Sequence, residues 1–445
     1  MLDQFFRAIK WNIASIILYK LILFLHQGFL FATIDQTEYG ILGTIFSTIY
    51  FFVPVLNFGF DYTLFAFFKR NRSSEESSFI LQQYLNRAVI LLCIIAVASI
   101  MYLYRPASHN NMPTALFVTC LALFFIESIK HSLLTHAHIF HLSRQIALYE
   151  NISLIAYITA VWSYVWINGE TPRLLFFLPL LVVSTIEALC ITRSLYSAYH
   201  QLPESTPITN LTNRAFYKEC GFNYINQLAR ALFSPNFLIL SLAATVGFHK
   251  TGYIKFITTA IIFLYSVFHR SIQMSGGALL AGISHMPVAL IKKTFNAMTT
   301  RYAHVILIAA VYFSALLYFY SQSKGFSGSA DLFSTHTIII FFCFISFMEY
   351  GTLTYETLFI TQKHGRELAW INAANITAAT VILPLLYWFP NPLFLFCLCV
   401  FKIFTVGYIV FRARHIWDID LSVDIQLETM IVHLAIALAL VNYCL

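Results

Sequence analysis

Residues 174–197 read LLFFLPLLVVSTIEALCITRSLYS, twenty-four residues that carry two charged side chains, Glu187 and Arg193. A helix needs about 20 mostly apolar residues to cross the hydrocarbon core of a bilayer. This run meets that requirement, and the chain on either side repeats it. Comparable runs lie near 12–31, 40–66, 86–104, 113–134 and 146–167 before it, and near 221–247, 253–280, 302–320, 335–360, 369–389 and 393–411 after it. A thirteenth, 428–445, is short and terminal. Apolar residues make up 59% of the 445 and charged residues 11%, too few charges to clothe a soluble domain of that length. The chain is therefore expected to be an all-α polytopic membrane protein.

Orientation follows from the basic residues between the runs. With the N-terminus inside, one side collects sixteen Lys and Arg, including Lys69, Arg70, Arg72, Lys292, Lys293, Arg412 and Arg414. The other side holds Arg105, Arg173, Lys250 and Lys324. The positive-inside rule then places the N-terminus in the cytoplasm. The net charge of +7 comes from these short loops and contains no basic run of the kind that binds nucleic acid. The eight cysteines lie mostly within apolar segments, where they read as small hydrophobes.

The polar connection Tyr199–Lys218 separates six runs from six. The expected organisation is an N-terminal six-helix lobe over 1–200, a cytoplasmic linker over 201–219, a C-terminal six-helix lobe over 220–415 and a terminal segment over 416–445. The lobes should enclose a central cavity. A short internal match, Thr37-Glu38-Tyr39-Gly40 with Thr251-Gly252-Tyr253-Ile254, suggests a parallel repeat of the kind found in secondary transporters.

Polar residues inside the runs fall on shared helix faces. Run two carries Gly43, Ser47, Tyr50, Pro54, Asn57 and Asp61 at steps of three and four. Run seven carries Asn223, Gln227, Arg230, Ser234 and Ser241; run eight carries Thr259, Ser266, His269, Arg270, Gln273 and Gly277. Run one adds Lys20 and Gln27. Charges at mid-membrane are costly and usually face a cavity or a partner. Lys20, Arg230 and Arg270 are the candidate cations of such a cavity, with Asp61 near its inner mouth. The opposing reading is that each neutralises a buried carboxylate. Glu349 and Glu356 share a face of run ten and could relay protons, bind a cation or pair with Lys402. Glu127 should pair locally with Lys130 or His131. His131, His136, His138 and His141 read as a histidine-rich interfacial loop rather than a metal site. No metal or cofactor is expected. No P-loop, G-x-S-x-G or H-E-x-x-H motif occurs, so neither an ATP-driven pump nor an enzyme is indicated.

Glu38-Tyr39-Gly40, a Ser/Thr-rich helix, Gly59-Phe60-Asp61 and then Lys69-Arg70 resemble the opening of the bacterial oligosaccharide flippases, the Wzx-type polysaccharide transporters of the MOP superfamily. The chain departs from that pattern at Pro235-Asn236, where an acidic residue often stands, and in the aromatic richness of run eight. The resemblance implies a protein of the bacterial inner membrane serving surface polysaccharide or lipopolysaccharide biosynthesis. It would move a polyprenyl-diphosphate-linked oligosaccharide to the outer leaflet by alternating access, among membrane lipids and with H+ or Na+ as a coupling ion. Lys20, Arg230 and Arg270 would then hold phosphates, and Asn57, Asn223, Gln227 and Gln273 would meet sugar, since a diphosphate-sugar headgroup needs fixed cations and hydrogen-bonding side chains. Asp61, Glu349 and Glu356 would couple or gate. The alternatives are a multidrug or cation antiporter of the same superfamily, and a membrane glycosyltransferase or polysaccharide polymerase.

Overall fold

In a computed structural model, residues 2–67, 74–103, 113–140, 142–169, 171–201, 213–237, 364–388 and 392–418 are described, with 287–296, 354–362 and parts of 239–259 and Leu280 besides. Ten complete helices are described: α1 Leu2–Thr33, α2 Gln36–Val55, α3 Phe60–Phe67, α4 Ser74–Leu103, α5 Thr114–Ile139, α6 Ser143–Asn168, α7 Leu174–His200, α8 Asn213–Leu232, α9 Gly365–Trp388 and α10 Pro392–Trp417. Among the described residues, α1, α2, α4, α5, α6 and α7 are long and apolar enough to cross a membrane. The architecture is all-α.

The apolar surface is inverted relative to a soluble protein. Leu189, Phe404 and Met101 are among the large apolar side chains left uncovered, on faces that a bilayer would cover. Trp166 and Trp388 project at the C-terminal ends of α6 and α9, where amphipathic rings suit the interface. Lipid tails are as apolar as leucine, so close packing rather than escape from water drives helix association here. The N-terminal core packs Leu123 of α5, Val161 of α6 and Phe176 and Phe177 of α7 with almost no exposure. The C-terminal core packs Phe295, Tyr355, Phe359 and Trp417.

Hydrogen bonds fix the helices where packing alone would let them slide. Asn151 of α6 donates to Ser15 Oγ of α1 at 2.6 Å, and Trp162 Nε1 donates to His26 Nδ1 at 3.0 Å. In the C-terminal half a polar ladder crosses three helices. Asn372 donates to Asn226 Oδ1 at 3.1 Å, Asn375 to Asn372 Oδ1 at 3.1 Å, and Thr405 to Asn375 Oδ1 at 3.0 Å. These asparagines are 1% exposed or less, so leaving one unsatisfied would be costly.

The second apolar run is not one helix. It breaks at 56–59 into α2 and α3. Leu56 N closes the last α-helical bond, to the Phe52 carbonyl, just past Pro54, and Phe58 and Gly59 take left-handed φ angles of 50° and 74°. The histidines expected in a loop instead lie in the last turns of α5, which runs on to Ile139. His141 lies outside the described residues, as do 261–279, 297–353 and 419–445, which include run nine, most of runs eight and ten, and the short terminal run.

Candidate functional site

The break between α2 and α3 is where the two halves of the chain meet on one side. A Cβ on Gly59 would overlap the Cys220 carbonyl oxygen and stand 2.5 Å from Tyr224 N, so only glycine admits α8 this closely. Gly59 N donates to Gln227 Oε1 at 3.0 Å, and Asn223 Nδ2 donates to Thr63 Oγ1 at 3.0 Å. Beside them Arg230 donates to Tyr62 Oη of α3 and to Glu356, with its guanidinium 5.0 Å from the Tyr62 ring centre. Glu356 is 1% exposed.

Behind this seam α3 is anchored to its own half by a second polar cluster. Ser132 Oγ of α5 donates to Asp61 Oδ1 at 2.6 Å and lies 3.3 Å from Asn57 Oδ1. His131 Nε2 stands 3.2 Å from Asp61 Oδ2. Arg87 of α4 donates to Ser132 Oγ and, at 2.7 Å, to the Ser128 carbonyl. A buried carboxylate and a buried guanidinium are thus bridged by one hydroxyl. His136 pairs with Tyr84 and His138 with Ser143, so the described histidines are divided among different partners.

A third cluster lies between α5 and α7. Lys130 Nζ is 2.7 Å from Glu127 Oε1 and 3.3 Å from Glu187 Oε2, and Ser184 donates to Glu127 Oε1 at 2.5 Å. The local pairing expected for Glu127 is present, widened by Glu187 and Ser184.

On the other side of the interface the contact is cationic. Lys255 Nζ reaches Ser47 Oγ of α2 at 3.2 Å, and its stem lies on Gly43, with Cγ 3.1 Å from a Cβ built there. Lys20 Nζ of α1 stands 5.9 Å from the Tyr19 ring centre. Phe256 stacks on Phe31 at 4.7 Å and on Phe24 at 5.9 Å, carrying this segment against α1.

The expected site residues are therefore divided. Asn57, Asn223 and Gln227 are 4% exposed or less and lie within the seam or its anchor, held by protein groups. Arg230 and Glu356, expected in separate roles, are partners, and Lys402 sits over the Phe233 ring. Asp61 is held by Ser132 and His131. Lys20 packs beside the Tyr19 ring of its own helix. Arg270, Gln273 and Glu349 lie outside the described residues. Two functional candidates escaped the sequence reading. Lys255 stands four residues before Thr259 on the polar stripe of run eight, so the stripe itself carried the signal. Arg87 sits at the edge of the run 86–104, where a basic residue reads as a topology marker.

No protein-family model and no curated protein matches the chain. Solved structures do. An outward-facing multidrug-resistance MATE-family transporter of the MOP superfamily aligns over 92% of this chain and 95% of its own, with a TM-score of 0.64 and 11% identity. The eukaryotic MATE transporter AtDTX14 aligns over 97% and 100%, with a TM-score of 0.61 and 13% identity. The chain has the MATE transporter fold. A MOP-superfamily transporter from Pyrococcus furiosus, described as having a binding pocket of reverse polarity that suggests a different function, aligns over 92% and 95% with a TM-score of 0.55 and 12% identity. At these identities the likeness extends to the path of the chain, and the chemistry must be argued from this chain's own residues.

Proposed function

We propose that the protein is an alternating-access flippase that moves a lipid-linked oligosaccharide, carried on a polyprenyl diphosphate, from the cytoplasmic to the outer leaflet. The observation that carries this reading is Lys255, whose ammonium reaches across the interface between the halves to Ser47 Oγ of α2 at 3.2 Å, on the polar face expected of a cavity wall. A fixed ammonium beside hydroxyl-bearing helix faces suits a headgroup that carries both phosphate and sugar. The diphosphate would meet the ammonium groups of Lys255 and Lys20. Its sugar would meet hydroxyl and amide groups such as Ser47, and its prenyl chain would stay among the lipids. On the sequence pattern, Arg270 and Gln273 of run eight extend the same surface. Arg230, Asn57, Asn223 and Gln227 act instead as a latch whose release accompanies the change of access.

A second reading has its own observation. Glu127 and Glu187 converge on one lysine, and protonation of such a cluster could couple to efflux of a cationic drug, as the multidrug neighbours' descriptions suggest. Export separates the two. Lys20→Ala and Lys255→Ala should each abolish export of the lipid-linked sugar at normal protein levels, and Lys255→Arg should keep part of it. A well-accumulated Lys20→Ala/Lys255→Ala protein that exports at the wild-type rate, or that confers drug efflux in its place, overturns the flippase reading.

A further inference from the structure

The N-terminal turns of α2 and of run eight touch backbone to backbone, and the contact is reciprocal. A Cβ built on Gly40 would overlap the Phe248 carbonyl oxygen and stand 3.1 Å from Gly252 N. One built on Gly252 would stand 2.5 Å from the Gln36 carbonyl oxygen and 3.3 Å from Gly40 N. Each glycine therefore sits on the carbonyl four residues before the other. Such self-complementary pairing marks a two-fold axis between like surfaces. The numbering agrees, since 252 − 40 and 248 − 36 both equal 212. The sequence match set Thr37 against Thr251, a register two residues away.

Other residues continue the contact. Asp35, the N-cap of α2, and His249 directly adjoin Gln36 and Phe248, whose carbonyls meet the two glycines. Gly28 and Phe31 of α1 meet Phe256 alongside. Ser47, which holds Lys255, lies seven residues further along α2, about 10 Å below Gly40 at the 1.5 Å rise of a helix.

We infer that Gly40 and Gly252 form the seal that closes the extracytoplasmic end of the cavity, at the axis relating the two halves, and that these two helix ends must part for release. Small residues let helix backbones approach this closely in a membrane. One added methyl forces them apart, so alanine at either position should bias the protein toward the outward-open state. The inference rests on the transport reading and orientation proposed above, and its test does not need the substrate.

In a background lacking the native cysteines, Ser47→Cys is exposed to a membrane-impermeant thiol reagent in right-side-out and in inside-out vesicles. With both glycines intact, labelling from the outer side should be slow. Gly40→Ala and Gly252→Ala should each raise it at least tenfold, and by similar factors because the contact is reciprocal. Gly221→Ala, which adds its methyl into open space, should leave it unchanged. Unaltered labelling from both sides in two well-accumulated alanine variants overturns the seal. A rise confined to inside-out vesicles keeps the seal and overturns the orientation. Should the alanine variants not accumulate, Asp35→Cys with His249→Cys and a short bifunctional maleimide carries the test. The linked protein should stop exporting, whereas export at the unlinked rate overturns the inference. An unlinked protein that exports nothing overturns the flippase reading instead.

Discussion

Arg230 is the residue on which the two readings of the intramembrane charges diverge, and its removal separates them. Its side chain is 12% exposed and that of its partner, Glu356, 1%. Arg230→Met would leave the Glu356 carboxylate buried without its counter-ion, and breaking a buried pair from one side costs about 3–5 kcal/mol. At about 1.4 kcal/mol per factor of ten, that is a roughly 100- to 4000-fold loss in the folded-to-unfolded ratio. Much of this cost comes from the stranded carboxylate. Glu356→Gln in the same chain removes the charge and should therefore restore much of the loss. Tyr62→Phe should cost less, about 1.5–3 kcal/mol, because it deletes one hydrogen bond to a charged group across the seam. The assay is resistance of the detergent-solubilised protein to heat and protease for both single variants, the double variant and wild type. A phosphate-binding arginine would show the opposite pattern, with normal stability of Arg230→Met and no rescue by Glu356→Gln. Wild-type resistance of Arg230→Met would refute the latch and return Arg230 to the substrate.

Gly59→Ala should destabilise the protein by more than the roughly 1 kcal/mol of a left-handed φ alone, because its methyl would also meet α8; equal stability of wild type and variant in the same protease assay would contradict the seam geometry. Lys130→Met strands Glu127 and Glu187, at about 3–5 kcal/mol, and adding Glu127→Gln and Glu187→Gln should restore accumulation in membranes. Lys292 holds the Asp418 carboxyl below its ordinary range. That contribution is present above the unfolded carboxylate pKa and is lost as pH falls through the depressed one, so Asp418→Asn should flatten the acid limb of a stability profile. Alkaline phosphatase fused after Gly169 should be active and after Gln201 inactive; the reverse would invert the orientation.

The sequence by itself determined the class of this protein. Runs such as 174–197 can satisfy their backbone in a bilayer only as helices, so composition and length settle the architecture before any contact is known. It also exposed the polar stripes, because residues three and four apart share a face whatever that face meets. What it could not supply was the partner across each face. Arg230 and Glu356 are 126 residues apart, and Lys255 and Ser47 are 208 apart. No helical period relates such positions, so a cation that binds substrate and one that neutralises a carboxylate look alike in the chain. Even the break at Phe58 and Gly59 is a tertiary decision. A turn so close to Pro54 is locally affordable, but it is α8, seated where a side chain would stand, that requires glycine there. The tertiary structure turned three similar stripes into a latch, an anchor and a cationic interface, because buried charge is tolerable only where geometry brings a counter-charge or hydrogen bond to it.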